Sequence, residues 1–110
     1  MQIDERTVGA VTVLDVKGQI ISGDMLLKDK INSVISQGLK KIVVNLAGVS
    51  YIDSAGLGEL VGAYTTVTRG GGNLKLANLT KKTHDLLTIT KLVTVFETYP
   101  SEQEAVTSFN

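Results

Sequence analysis

Apolar positions along this chain switch repeatedly between a period of two and a period near 3.6, and the switches mark its elements. Gln2–Val8 and Val11–Lys17 read as strands. The two residues between them, Gly9-Ala10, are the length of a hairpin connection, so the pair is predicted to be antiparallel. In the second strand Val11 and Val13 share one face, while Thr12, Leu14 and Val16 share the other; Gly18 is predicted to end it. Leu27, Ile31, Val34 and Ile35 fall at i, i+4, i+7 and i+8, which predicts a helix capped by Asp24 and stopped by Gly38. Ile42–Leu46 is a nearly continuous β-branched run, the pattern of a strand covered on both faces. Helical spacing returns with Leu57, Leu60, Val61, Tyr64 and Thr68, predicted as one face, and ends at Gly70-Gly71-Gly72. A strand over Asn73–Asn78 follows, then a helix capped by Thr80 with Leu86, Leu87 and Thr90 turned inward, then a strand over Val93–Glu97. Pro100 breaks the pattern, and Ser101-Glu102-Gln103-Glu104 forms a capping box for a last helix that uses Ala105, Val106 and Phe109.

A hairpin followed by alternating helices and strands predicts an α/β fold with a mixed sheet of four to five strands packed by about four helices. Residues 1–110 form one domain, with no repeat, linker or low-complexity run. Hydrophobic residues make up 43% of the chain and charged residues 20%, a composition that excludes disorder. No apolar run reaches the roughly 18 residues of a membrane span, so no membrane insertion is expected. Eleven basic and eleven acidic residues balance to a formal charge of zero, so no direct nucleic-acid partner is expected. Cysteine is absent from the sequence, which removes disulfide and thiol chemistry. Met1-Gln2-Ile3-Asp4-Glu5 places acids where a secretory leader carries positive charge, and a cytoplasmic protein is expected.

Chemistry concentrates in Val49-Ser50-Tyr51-Ile52-Asp53-Ser54-Ala55-Gly56-Leu57-Gly58, predicted as a strand-to-helix turn. Asp53 and Ser54 are residue types that cap helix starts, because their side-chain oxygens accept from backbone NH groups lacking an intrahelical partner. Taken locally, Ser54 reads most simply as a cap; it also reads as an exposed hydroxyl beside free NH donors. Gly56, Gly58 and Gly62 do not follow the spacing of a nucleotide fingerprint, and no Lys-Ser or Lys-Thr follows them; a steric role, letting backbone approach closely, fits better. Ser54 lacks a G-x-S-x-G elbow, and His84, the sole histidine, has no histidine or cysteine partner. No catalytic residue, metal site or cofactor is therefore expected, and the protein is read as a non-enzyme. In the preceding Gln19-Ile20-Ile21-Ser22-Gly23-Asp24 segment, Ile20 and Ile21 read either as plugs of the core or as a contact surface.

A buried strand, then Asp53-Ser54-Ala55-Gly56-Leu57-Gly58, then an amphipathic helix resembles the signature of the STAS domain, most of all the anti-sigma factor antagonists. The resemblance runs from Met1 to Phe109. It implies a STAS-like single domain and a phosphorylation-controlled binding module that sequesters an anti-sigma factor serine kinase and releases a sigma factor. ATP would be bound by that partner. By motif position the phosphorylated residue is Ser54. The implied partner-binding residues are Gly18, Ile20, Ile21, Ser22, Asp53, Ser54, Ala55, Gly56, Leu57, Gly58 and Glu59. The chain departs from the family in having Ile21 where relatives often carry an acid and Ala55 where they often carry a second serine. The other reading within the same fold is a constitutive scaffold or regulatory STAS module of a sensory or transport complex, with Ser54 only a helix cap.

Overall fold

A computed structural model describes residues 1–21 and 23–110. Strands β1 (Gln2–Val8) and β2 (Val11–Ile20) pair antiparallel through the predicted hairpin, with Val8 opposite Val11. Helix α1 (Leu26–Ser36), strand β3 (Lys41–Ile52), helix α2 (Ser54–Arg69), strand β4 (Asn73–Ala77) and helix α3 (Lys81–Ile89) follow. A 3₁₀ turn over Leu92–Thr94, strand β5 (Glu97–Tyr99) and helix α4 (Glu102–Thr107) complete the chain. Among the described residues the strands form one mixed sheet in the order β1-β2-β3-β4-β5, with every pair after the hairpin parallel. Each parallel step is a strand-helix-strand crossover, as the alternating pattern requires.

The alternation of β2 and β3 divides the core between the two faces of the sheet. Leu14, Val16, Ile42, Val44 and Leu46 pack with Leu27, Ile31 and Val34 of α1, Leu57, Leu60, Ala63 and Val67 of α2, and Leu87 of α3. Val11, Val13, Val43 and Ala77 point the other way, beneath Ala105 of α4 with Val106 and Phe109. β3 therefore lies in the interior of the sheet and is covered on both sides, which is why its first half reads as a continuous apolar run. A polar chain runs beside the second core: Arg6 pairs with Asp15 and Glu102, Asn45 donates to Asp15 at 2.8 Å, and Asn78 donates to Asn45 at 3.1 Å. Arg6 holds the Asp15 carboxyl below its usual range, chiefly by direct hydrogen bonding, with Asn45 adding to the effect.

Several boundaries differ from the sequence expectation, each because of long-range pairing or packing. β2 does not end at Gly18 but runs to Ile20, since Gly18, Gln19 and Ile20 pair with Val49, Tyr51 and Ile52 of β3. Gly18 makes this possible: its φ of 95° lies in the left-handed region and sits at a register irregularity that another residue would strain. β3 extends past Leu46 for the same reason, so the expected turn starting at Val49 shrinks to Asp53 alone. The last strand is Glu97–Tyr99 rather than Val93–Glu97, because Leu92, Val93 and Phe96 are drawn into the core, where Phe96 meets Tyr64 edge-on at 5.5 Å. On α2 the buried stripe is Leu57, Leu60, Ala63 and Val67; Val61 and Tyr64 are half-buried and Thr68 is exposed. On α3, Thr83 and Leu87 are buried, Leu86 is half-buried, and Thr90 is exposed, its hydroxyl donating back to Leu86 O at 2.7 Å. Asp24 stands one position before the first cap residue of α1, Met25, and accepts from Leu26 N at 3.0 Å.

Candidate functional site

At the end of β3 the chain turns into α2 within a single residue. Asp53 takes an extended conformation (φ −101°, ψ 179°) and is the N-cap: its Oδ1 accepts from Gly56 N at 2.6 Å, and its carbonyl accepts from Leu57 N at 2.8 Å. Ser54 is thus the first helical residue, exposed to solvent, and among the described residues its hydroxyl has no hydrogen-bond partner. The capping role that the sequence left open to Ser54 belongs to Asp53. A short polar side chain at the positive end of a sixteen-residue helix, released from structural duty, is suited to modification by an anionic group.

The turn is held against β2 by a close backbone approach. A Cβ on Gly56 would overlap the carbonyl oxygen of Ile20 and come within 3.2 Å of Asp53 Oδ1, so only glycine fits there. This is the steric role expected of the glycines, and it applies to Gly56 alone: a Cβ on Gly58 or Gly62 would meet open space. Ser50 Oγ donates to Gly18 O at 3.3 Å and ties the neighbouring strand ends together.

The structure therefore gathers the segment after Lys17 and the Asp53–Glu59 stretch at one end of the sheet, but it sorts the predicted contact residues by depth. Ile20 is a strand residue with no exposed surface, the core plug of the two expectations. Gly56 and Leu57 are also buried, so their part is to shape the turn from beneath. Ser54, Ala55 and Gly58 are exposed, while Gly18, Ile21, Asp53 and Glu59 are half-buried. Ser22 lies outside the described residues. Glu59 sits in a groove between α1 and α2 with Lys28, Gly62, Ala63 and Thr66.

One neighbouring feature was not anticipated. Tyr51, three residues before Ser54, keeps 47% of its surface exposed. With Ile52 it faces Lys82, Asp85, Leu86 and Ile89 of α3 across an open groove of about 330 Å³. The signal available in the sequence was the apolar i, i+3 pair Leu86 and Ile89, which cannot both face the core alongside Leu87.

His84 is exposed on α3 and lines a separate groove with Leu79, Lys81 and Tyr99. Among the described residues no group of three His, Cys, Asp or Glu side chains could hold a metal ion. Among them, too, no helix is long and apolar enough to cross a membrane.

Comparison with known proteins agrees with this fold. The family model of the STAS domain matches residues 2–105. An anti-sigma-B factor antagonist of Bacillus subtilis is 38% identical over 72 residues, 66% of this chain and 65% of that relative, so the match spans just under two thirds of the relative's own length. An anti-sigma F factor antagonist of Paenibacillus polymyxa is 24% identical over 109 residues, 97% of this chain and 93% of the relative. Among solved structures, the Bacillus cell fate determinant SpoIIAA in its phosphorylated form superposes with a TM-score of 0.74 at 20% identity, over 99% of this chain and 100% of that one.

Proposed function

The chain belongs to the STAS domain family, and from that premise we propose that it is an anti-sigma factor antagonist switched off by phosphorylation of Ser54. In its unmodified form it sequesters an anti-sigma factor serine kinase, which supplies its own ATP, and a sigma factor is released for transcription. The protein itself is a binding module of the cytoplasm and performs no catalysis. The observation that carries this reading is the solvent-exposed Ser54 at the first position of α2, whose hydroxyl has no hydrogen-bond partner among the described residues while Asp53 caps the helix. The names of the two antagonist relatives supply the class of partner.

Physical chemistry gives the switch its sign. A phosphate adds about 1.5 to 2 negative charges at pH 7. On the free protein these charges face water and the positive end of the α2 dipole, so the fold tolerates them. The neighbour SpoIIAA, solved in phosphorylated form, is a protein of this fold that carries such a group. In an interface pressed against the turn, the same dianion sits next to the Asp53 carboxylate and must lose its hydration, which opposes docking. The contact surface comprises the 18–24 segment, the exposed residues Ser54, Ala55 and Gly58, and the half-buried Glu59, with Ile20, Gly56 and Leu57 supporting it from below.

The test is incubation with ATP and each anti-sigma kinase encoded in the same genome, with mass mapping of the phosphate. Label on Ser54, together with loss of the kinase complex, is expected. Label on Ser50 or a threonine with Ser54 unmodified, or a stable complex that survives modification, defeats the reading and favours a constitutive STAS scaffold.

A further inference from the structure

We propose that α4 is a lid on one face of the sheet that opens without the rest of the domain unfolding, and that the buried Lys75 ammonium beneath it keeps it openable. The device lies on the face away from α1, α2 and α3 and does not depend on the functional reading above.

Little apolar burial holds α4 down. It has six residues, Glu102–Thr107, well short of the roughly 12 to 15 that a helix needs to persist in water by itself. From Ser101 to Asn110 only Ala105 is buried, while Val106 and Phe109 are half-buried over Val11, Val13, Val43 and Ala77. Segments with so few buried apolar contacts belong to the low-stability end of a fold and open below the free energy of global unfolding. Polar contacts fasten the two ends: Arg6 of β1 pairs with Glu102 at the start of the helix, and Ser108 and Phe109 at its end meet Lys75 of β4.

Lys75 is the unusual partner. It is only 5% exposed, and a lysine is rarely buried so fully. Its Nζ donates to Ser108 Oγ at 2.6 Å, stands 4.1 Å from the centre of the Phe109 ring, and pairs with Glu97 of β5 at 3.3 Å. Ser108 and Phe109 leave with α4, so closing the lid strips water from the ammonium and opening it restores that water. The desolvation cost of a buried ion often matches or exceeds what its partners return, and an apolar replacement of similar volume is then neutral or stabilising. Removing one partner while the ion stays buried has the opposite effect. The ammonium thus acts as a release rather than a bolt, and the signs of two substitutions follow. Taking the charge away holds the lid shut; taking its acceptor away lets the lid open.

The experiment is native-state amide exchange, read residue by residue and against denaturant, on the full wild-type chain, Lys75→Met, Ser108→Ala and the double variant. The reporters are the amides of Ala105, Ser108 and Phe109, bonded to Ser101 O, Glu104 O and Val106 O, compared with those of Val43 and Val44 in β3. In the wild type the α4 amides are expected to be at least about tenfold less protected than the β3 amides and less sensitive to denaturant, the mark of a sub-global opening. Lys75→Met is expected to raise α4 protection about tenfold and Ser108→Ala to lower it about tenfold, the scale of one hydrogen bond to a charged group. In the Lys75→Met background Ser108→Ala should change it by less than about threefold, because the two act through one contact. Exchange of the α4 amides only together with those of β3 overturns the independent lid. Lower or unchanged α4 protection in Lys75→Met makes the ammonium a bolt and overturns its role as a release, as does a Lys75→Met chain that fails to fold. A Ser108→Ala loss as large in the Lys75→Met background as in the wild type overturns the role of Lys75 and assigns the effect to the bond from Ser108 Oγ to Ala105 O.

Discussion

Helices α2, α3 and α4 start in the same way and differ in one offset. At α3 the cap is Thr80, whose Oγ1 accepts from Thr83 N at 3.2 Å and bonds Thr83 Oγ1 at 3.0 Å. At α4 it is Ser101, whose Oγ accepts from Glu104 N at 3.1 Å. At α2 the corresponding bond, from Gly56 N, goes to the carboxylate of Asp53, and the hydroxyl residue comes one position later. Thr80 and Ser101 are half-buried and committed; Ser54 is exposed and free of partners among the described residues. A shift of one residue thus separates a hydroxyl that caps a helix from one that makes no hydrogen bond among the described residues. The carboxylate that takes over the cap also leaves a fixed negative charge beside Ser54, where a phosphate would be added.

The third residue of each helix sharpens the contrast and carries the largest expected effect. It is Gly56 in α2, Thr83 in α3 and Glu104 in α4, and at Gly56 a strand carbonyl, that of Ile20, presses against the first turn. Because the obstacle to a Cβ there is the Ile20 backbone rather than a flexible side chain, Gly56→Ala should cost about 3 kcal/mol, at the upper end of overpacking penalties. Denaturant unfolding checks it. A cost below about 0.5 kcal/mol, the level of an ordinary surface change, would mean that α2 is not pressed against β2.

Next in size is the effect of charge at Ser54. Ser54→Asp should weaken kinase binding roughly a hundredfold, about 2.7 kcal/mol, while its unfolding midpoint stays near that of the wild type, since an acid is welcome at a helix start. Equal affinity for the two proteins would break the switch. Smaller again are the caps themselves. Asp53→Ala and Thr80→Ala should each lose about 1 kcal/mol of stability, and Asp53→Asn should lose less than Asp53→Ala, because the amide oxygen still accepts from Gly56 N. If Asp53→Ala leaves stability unchanged, Asp53 is not the cap and Ser54 is not released by it.

How much of this was legible in the sequence follows from the range of the interactions involved. The hairpin at Gly9-Ala10, the caps at Thr80 and Ser101 and the two-sided burial of Ile42–Leu46 are local or nearly local in origin, and the chain spells them out. The run of β2 through Gly18 to Ile20 and of β3 to Ile52 depends on each strand finding the other, some thirty residues apart in sequence. The same holds for Val93, whose β-branched side chain suits a strand but which packs into the core from a 3₁₀ turn. Around the candidate site, Asp53 and Ser54 were both eligible to cap, and only the backbone of Asp53 decides between them. The depth of Ile20 and the groove at Tyr51 are tertiary facts: each depends on where a distant helix lies.

The smallest expected effect is the most discriminating. Ser54→Ala removes a hydroxyl that has no partner among the described residues from a position where alanine is the better helix former, by no more than about 0.7 kcal/mol on the intrinsic scale. Its stability should therefore stay within about 0.5 kcal/mol of wild type, as for other surface substitutions without a lost contact. The paired variant Thr80→Ala removes a hydroxyl from another helix start and should lower the unfolding midpoint by roughly 4 to 8 °C for each kcal/mol lost. Function should move in the opposite order. Ser54→Ala should bind the kinase constitutively and accept no phosphate, whereas Thr80→Ala, once folded, should bind and be phosphorylated as the wild type is. If Ser54→Ala melts as low as Thr80→Ala, the two hydroxyls are equivalent structural caps, and the released serine, together with the switch built on it, is the wrong account of this turn.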